Sequence, residues 1–372
     1  MEAGSLMRPE FWAEEVPLVM GESIELSHGL PGLVYFRSSG TTGEPKWIGL
    51  RRSALLASAA AVNRHLEVDS GSVWALALPL THVGGFGVIA RAHQATCGLE
   101  VFTEKWSALG FGRWLKGVEA SHLSLVPTQV HDLVISCIAA PETLRAVVVG
   151  GGALDASTGR AARALGWPVL ASYGMTEAGS QIATQGLEKL ETAYVTDALE
   201  ILPCWQLRRT SEGRLEMRGD TLFEGWLVNE DGIWRYRPRE GDWFVTSDTG
   251  DIGPTGLRVT GRADTSVKIL GELVNPLAVE TRLRDLAGMP LPPTSLCVVA
   301  VPEARAGMRL VLAYNTECLH REQAESLLDR YHSTCPGYCR ISSTLAMPAL
   351  PTSPLGKLLR GELARIASEK TN

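Results

Sequence analysis

The chain has 372 residues, 45% of them hydrophobic and 20% charged, with a formal net charge of -6 from 35 Lys and Arg against 41 Asp and Glu. A chain of this length buries roughly three quarters of its unfolded surface, enough for one or two large cores and a smaller unit. The acidic balance excludes a general nucleic-acid or membrane-surface protein, so a polyanionic ligand has to be met by local positive charge.

Met1 to Gly21 carries Glu2, Glu10, Glu14 and Glu15 with no long apolar core. It reads as neither a secretion signal nor a membrane span, and the cytoplasm is the expected compartment. The apolar run Leu33 to Phe36 is then followed by Ser38-Ser39-Gly40-Thr41-Thr42-Gly43-Glu44-Pro45-Lys46. Hydroxyls, glycines and a lysine at this density have the composition of a phosphate cradle, because glycine backbones let successive N–H groups converge on one anion. The spacing is not that of the common NTPase P-loop. Taken alone, the segment also reads as a flexible turn.

Val73 to Leu80, Leu99 to Thr103, His122 to Val126, Ala146 to Val149 and Val169 to Ser172 read as strands, with helices at Val83 to Thr96 and Thr128 to Ile138 between them. This alternation predicts an α/β fold with right-handed βαβ units and a mainly parallel sheet covered by helices on both faces. Gly150-Gly151-Gly152 and Tyr173-Gly174 both follow such strands, at the carboxyl ends where ligands of these folds sit. From Leu199 to Thr260 the texture changes to short strands and turns, with signals at Glu212-Gly213, Asp231-Gly232 and Pro254-Thr255-Gly256, which predicts a small antiparallel β subdomain. Past Asp264, helices at Pro276 to Leu286 and Arg321 to His332 and strands at Ser295 to Val301 and Arg309 to Tyr314 predict a small α+β domain. The expected division is therefore 1–263 and 264–372. Seven scattered cysteines read as reduced thiols, and the one close group, His332, Cys335 and Cys339, lacks the fourth ligand and tight pairing of a zinc site.

The Ser38 to Lys46 segment resembles the signature loop of the adenylate-forming acyl-CoA synthetase superfamily, whose members activate carboxylic acids with ATP. Further matches follow in the family's order: Tyr173-Gly174-Met175-Thr176-Glu177, Thr246-Ser247-Asp248, Gly261-Arg262-Ala263-Asp264 with Lys268 and Gly271, and Pro351 to Lys357. The resemblance implies ATP, Mg²⁺ and CoA as cofactor and substrates beside a small-molecule acid, and a C-terminal domain that turns on a hinge. It implies that Ser38, Ser39, Gly40, Thr41, Thr42, Gly43 and Lys46 hold the β- and γ-phosphates. By the same resemblance Thr176 contacts the α-phosphate and Glu177 helps bind magnesium, while Asp248 takes both ribose hydroxyls. Tyr173, Gly174 and the segment Gly150, Gly151, Gly152, Ala153 would flank adenine, and Arg262 would reach the ribose and phosphates. Asp264 would be the pivot, Lys357 the lysine of the adenylation step and Gly271 the glycine beside pantetheine. His82 resembles the family's aromatic gate, with a structural histidine as the competing reading.

Leu78 to Arg91 and Ser124 to Gln129 resemble the o-succinylbenzoate-CoA ligases of menaquinone biosynthesis, whose substrate has a second, aromatic carboxylate. Arg91 is a candidate partner for it by charge; an outward, solvated arginine is the competing reading. Typical family members have a longer region ahead of the phosphate loop. The expectation here is a compact form, against a pocket left partly open or completed in a homo-oligomer. Loading of a carrier-protein thiol instead of CoA keeps every motif and stands as the rival activity. A non-catalytic nucleotide-binding module leaves Lys357 without a use.

Overall fold

Alternating side chains of five parallel strands feed two cores in the computed structural model, which describes residues 3–22, 24, 26, 30–38, 46–263, 266–303, 305–352 and 356–370. In spatial order the parallel strands are Gly98–Val101, Val73–Leu76, His122–Leu125, Ala146–Val149 and Val169–Met175, and antiparallel Ser180–Thr184 and Glu200–Ile201 complete a seven-stranded sheet. Trp74, Leu76, Ala146 and Val148 face one core, together with Phe86 and Ile89 of the helix Val83–Ala95. Ala75, Leu123, Leu125, Val147 and Val149 face the other, against Phe111 and Leu115 of Ala108–Gly117. Helices on both faces bury the central strands on both sides, and Ala146–Val149 is accordingly written as a continuous apolar run, whereas the edge strand Gly98–Val101 leaves Gly98 and Glu100 exposed. The helix expected at Val83 to Thr96 ends at Ala95, with Thr96 in a left-handed cap at φ 52°. The one expected at Thr128 to Ile138 runs Pro127–Ile135, with the proline in its first turn.

A second sheet carries the phosphate-loop segment. Val34–Arg37 and Trp47–Leu50 pair antiparallel, and the Ser38 N–H donates to the Lys46 carbonyl at 2.7 Å across the base of the loop. The stretch expected to form one antiparallel subdomain divides here. Gly225–Glu230 and Ile233–Pro238 form a hairpin that joins this second sheet through Trp226 opposite Ile48 and Leu227 opposite Trp47. The physical reason is a shared apolar cluster of Leu33, Tyr35, Trp47 and Leu227, with Trp234 and Tyr236 packed on it. The Asp231-Gly232 turn has φ of 54° and 89°, the paired positive values of a tight hairpin turn. Gln206–Arg209, Arg214–Arg218, Phe244–Gly253 and Gly256–Arg262 form the separate four-stranded antiparallel sheet.

The last sheet contains Leu296–Glu303 antiparallel to Gly307–Asn315, with Ile341–Met347 parallel to the latter. Val298, Leu310 and Leu312 turn to the helices Pro276–Ala287 and Arg321–His332, whereas Cys297, Val299, Val311 and Ala313 turn to Leu363 and Ala367 of Arg360–Lys370. The two-residue period of strands sorts these side chains to opposite faces. Among the described residues no helix is long and apolar enough to cross a membrane, and all seven cysteines are free.

Candidate active site

The strand Val169–Met175 changes partner along its length: Val169 to Ala171 pair parallel with Val147 to Val149, and Ser172 to Met175 pair antiparallel with Ser180 to Thr184. The crossover brings the two backbones so close at Gly174 that a Cβ there would lie 1.8 Å from the Ser180 carbonyl oxygen. Glycine is therefore a steric requirement of the Tyr-Gly pair. A short turn, Thr176–Ala178, closed by Gly179 at φ 66°, sets Thr176 and Glu177 at the tip of this hairpin. The Phe223 N–H fastens the tip by donating to the Glu177 carbonyl at 2.9 Å.

Half-buried Glu177 has its pKa raised by burial and further by Asp248, against the pull of Arg262 and Lys46. Asp248 is set by a local turn in which its N–H donates to Thr246 Oγ1 at 3.0 Å, while that hydroxyl donates to the Leu215 carbonyl at 2.9 Å. The Tyr173 hydroxyl donates to Asp248 Oδ2 at 2.6 Å. Arg262, opposite Asp248 in the antiparallel ladder, brings Nη1 to 3.8 Å from Oδ1. Burial and then Asp248 raise the Tyr173 pKa, so this phenol stays a donor. Four groups quoted from distant parts of the sequence thus share one charge cluster, with Lys46 of the loop base as the fifth. The Lys46 Nζ lies 5.8 Å from the centroid of the Trp226 ring.

Beside this cluster the Gly150 to Ala153 segment leaves the carboxyl end of Ala146–Val149, held by the Gly150 N–H on the Leu125 carbonyl at 3.1 Å and turned by Gly151 at φ 77°. His82 is the N-cap residue of Val83–Ala95 on the same sheet. Its pKa is lowered, first by burial and then by the positive charge of Lys357. Lys357 lies between Thr352 and Leu358, which pair as an antiparallel bridge, and just beyond it the Leu359 N–H donates to the Pro351 carbonyl at 2.9 Å. Directly after the loop, Arg360 grips the buried Glu280 carboxylate through both terminal nitrogens at 2.7 and 3.0 Å. That bidentate pair fixes where the loop ends.

Arg91 is 2% exposed, which overturns the outward, solvated alternative. Its guanidinium donates to Ser124 Oγ at 3.1 Å and Ser180 Oγ at 3.2 Å and lies 5.2 Å from the centroid of the Trp74 ring. Among the described residues no carboxylate is ion-paired with it, and burial lowers its pKa to about 9. Sequence reasoning gave Ser180, Trp74 and Trp226 no role. Ser180 becomes visible only through the antiparallel pairing at Gly174. Gly271, at φ 88° beside Leu270 at φ 53°, forms the tip of the Val267–Ile269 and Glu272–Val274 hairpin, with open space around it. Ser39, Gly40, Thr41, Thr42, Gly43 and Asp264 lie outside the described residues.

For magnesium, no group of three or more His, Cys, Asp or Glu able to hold a metal forms among the described residues. A single carboxylate whose charge is destabilised by burial, as at Glu177, fits a hard cation held mainly by phosphate oxygens and water.

Comparison with known proteins matches residues 33–226, just over half of the chain, to the family described as AMP-binding enzyme. A probable 2-succinylbenzoate--CoA ligase of Mycobacterium tuberculosis is 31% identical over 293 residues, covering 74% of this chain and 69% of that protein. The 2-succinylbenzoate--CoA ligase of Staphylococcus aureus is 27% identical over 261 residues, 68% of this chain; the match spans about half, 51%, of that relative's length. The solved o-succinylbenzoate CoA synthetase (MenE) of Bacillus subtilis, in complex with the acyl-adenylate intermediate OSB-AMP, has a TM-score of 0.76 at 23% identity over 89% of this chain and 68% of that one, and so has the same fold.

Proposed function

Because the chain belongs to the AMP-binding enzyme family, we propose that it is an AMP-forming acid–thiol ligase acting on o-succinylbenzoate, ATP and CoA. The observation that carries this reading is the joining of remote motifs at Asp248, which accepts from the Tyr173 hydroxyl and faces Arg262 Nη1 at 3.8 Å, with the charge of Lys357 acting on His82 at the start of Val83–Ala95. A cation acting at His82, together with the donors and acceptors gathered at Asp248, suits attack of a carboxylate on ATP.

In the proposed first step a carboxylate oxygen attacks the α-phosphorus in line, the bond to the β-phosphate oxygen breaks, and pyrophosphate leaves. Lys357 stabilises the charge that builds on the α-phosphate and the incoming carboxylate. Thr176 donates to the α-phosphate. Ser38, Ser39, Gly40, Thr41, Thr42, Gly43 and Lys46 hold the leaving pyrophosphate. Magnesium, with Glu177 as its protein ligand, would neutralise phosphate charge when bound. Asp248 accepts the ribose hydroxyls; a carboxylate has lone pairs to spare beyond those that Tyr173 and Arg262 engage. Tyr173, Gly174 and the Gly150 to Ala153 segment bracket adenine. In the second step the CoA sulfur attacks the acyl carbonyl, the carbon–oxygen bond to phosphate breaks, AMP leaves, and the thiol proton passes to solvent. We place the boundary between a 1–263 unit and a turning 264–372 unit at Asp264, with Gly271 brought to the site for this step, and the reaction in the cytoplasm.

The names of the relatives support o-succinylbenzoate as the acid, and Arg91 supplies a chemical reason. A buried guanidinium that, among the described residues, is met by two hydroxyls and an aromatic face has donors to offer a second carboxylate. A pyrophosphate-release assay with ATP, Mg²⁺ and CoA over o-succinylbenzoate, benzoates, and short and long fatty acids tests the reading. A strong o-succinylbenzoate signal with its CoA thioester is expected. Release driven by another acid would discard the substrate, and silence across the set would discard the activity.

A further inference from the structure

The seam between the helices Ala156–Ala164 and Pro276–Ala287 joins the large sheet to the last one. Asp155 caps the first helix by accepting the Thr158 N–H at 2.9 Å. The Ser157 hydroxyl reaches both Asp155 Oδ1 within its own turn and the Met289 carbonyl, 3.2 Å away across the seam. One hydroxyl has one proton, so it donates to one of these at a time. From the other side comes Asp285, which has the Ala156 backbone N–H as a donor, with Asp155 as a like charge and Arg160 and Arg282 as opposite ones. Burial first, and then Asp155, raise its pKa, so the charged form is disfavoured at this seam in spite of the donor and the two arginines.

We propose that Ser157 and Asp285 are positioning residues for adenylation: across this seam they set the orientation of the 264–372 unit that presents Lys357 to His82, and the seam parts before thiol transfer. This rests on the two-step reading above. Neither residue touches the reacting atoms. Ser157 favours the docked arrangement when its proton turns from Asp155 Oδ1 to the Met289 carbonyl, and the like charges of Asp155 and Asp285 oppose that arrangement. The two residues therefore pull in opposite directions, and their variants should part the two half-reactions with opposite signs.

The test measures amide hydrogen exchange over residues 155–165 and 284–290, together with single-turnover rates of each half-reaction, in the full chain and in Ser157→Ala and Asp285→Asn. Ser157→Ala is expected to speed exchange on both sides of the seam and to slow pyrophosphate release about two- to tenfold, the range of one neutral hydrogen bond. Thioester formation from supplied acyl-adenylate should not slow. Asp285→Asn keeps an acceptor for Ala156 and removes the like charge, so exchange should slow on both sides, adenylation should hold, and thiol transfer should fall. Exchange unaffected by either change, or both half-reactions falling together in both variants, would overturn the proposal. An unmodified chain that releases no pyrophosphate with any acid would count against the ligase reading, and the exchange data would then decide the seam without it.

Discussion

The positive charge of Lys357 reaches His82 and, after burial, holds its pKa down. Lys357→Ala removes one donor to the transition state, a loss that commonly costs about 10²- to 10³-fold. Acid-dependent pyrophosphate release should fall by that factor with ATP binding, followed by calorimetry, unchanged; near-normal release would remove Lys357 from the chemistry. The same contact has a titration signature. His82 should titrate below the ordinary imidazole value, since burial and Lys357 both oppose its proton, and the Lys357 to His82 approach should weaken as pH falls through the His82 range. In Lys357→Ala the imidazole NMR titration of His82 should move part of the way up, burial holding the rest; no movement would place the lysine elsewhere. At Arg91 the prediction concerns binding. Arg91→Gln should raise KM for a dicarboxylic acid about 10- to 100-fold, the worth of roughly 1.5–3 kcal/mol for a hydrogen bond to a charged group. KM for a monocarboxylic acid should not change. Equal KM values for the dicarboxylic acid would leave Arg91 a core residue.

Among the elements, the hairpin from Ser172 to Thr184 leaves no room for a side chain at Gly174. Gly174→Ala drives a methyl into the Ser180 carbonyl, and backbone on both sides has to move. A loss of about 1–3 kcal/mol or more in denaturant unfolding is expected, as for overpacked cores, with ATP affinity falling because Tyr173 and Glu177 shift with the strand. Unchanged stability would refute this reading of the glycine. Ala146 to Val149 was legible in the sequence because burial on both faces writes a central strand as an apolar run. The placement of the Gly225 to Pro238 hairpin was not. Alternation announces a strand but not its partner, and the partner here, Trp47–Leu50, is remote in the chain. Arg91 was ambiguous for a related reason. A charge on a helix reads as solvated unless its neighbours are known to be small, and the space it occupies is left by Gly87, where a Cβ would come within 3.3 Å of Nη2. The motifs singled out Tyr173 and Asp248, but the bond between them joins sheets that no local pattern connects.

At the scale of the whole molecule, the large sheet supplies Tyr173, the four-stranded sheet supplies Asp248 and Arg262, Lys46 stands just ahead of Trp47–Leu50 in the phosphate-loop sheet, and the charge of Lys357, from the segment ahead of the last helix, reaches His82. In the proposed two-step reaction these supports would divide the work, with the groups at Asp248 holding the nucleotide and Lys357 coming from a separate support. The most direct test of the account follows oxygen. With acid labelled by ¹⁸O in its carboxylate, ATP and CoA, mass spectrometry of the products should find one labelled oxygen in AMP and the other retained in the CoA thioester. The labelled atom reaches AMP only if a carboxylate oxygen has bonded to the α-phosphorus. Label appearing in inorganic phosphate with ADP as co-product, or unlabelled AMP beside thioester, would contradict adenylation at this site.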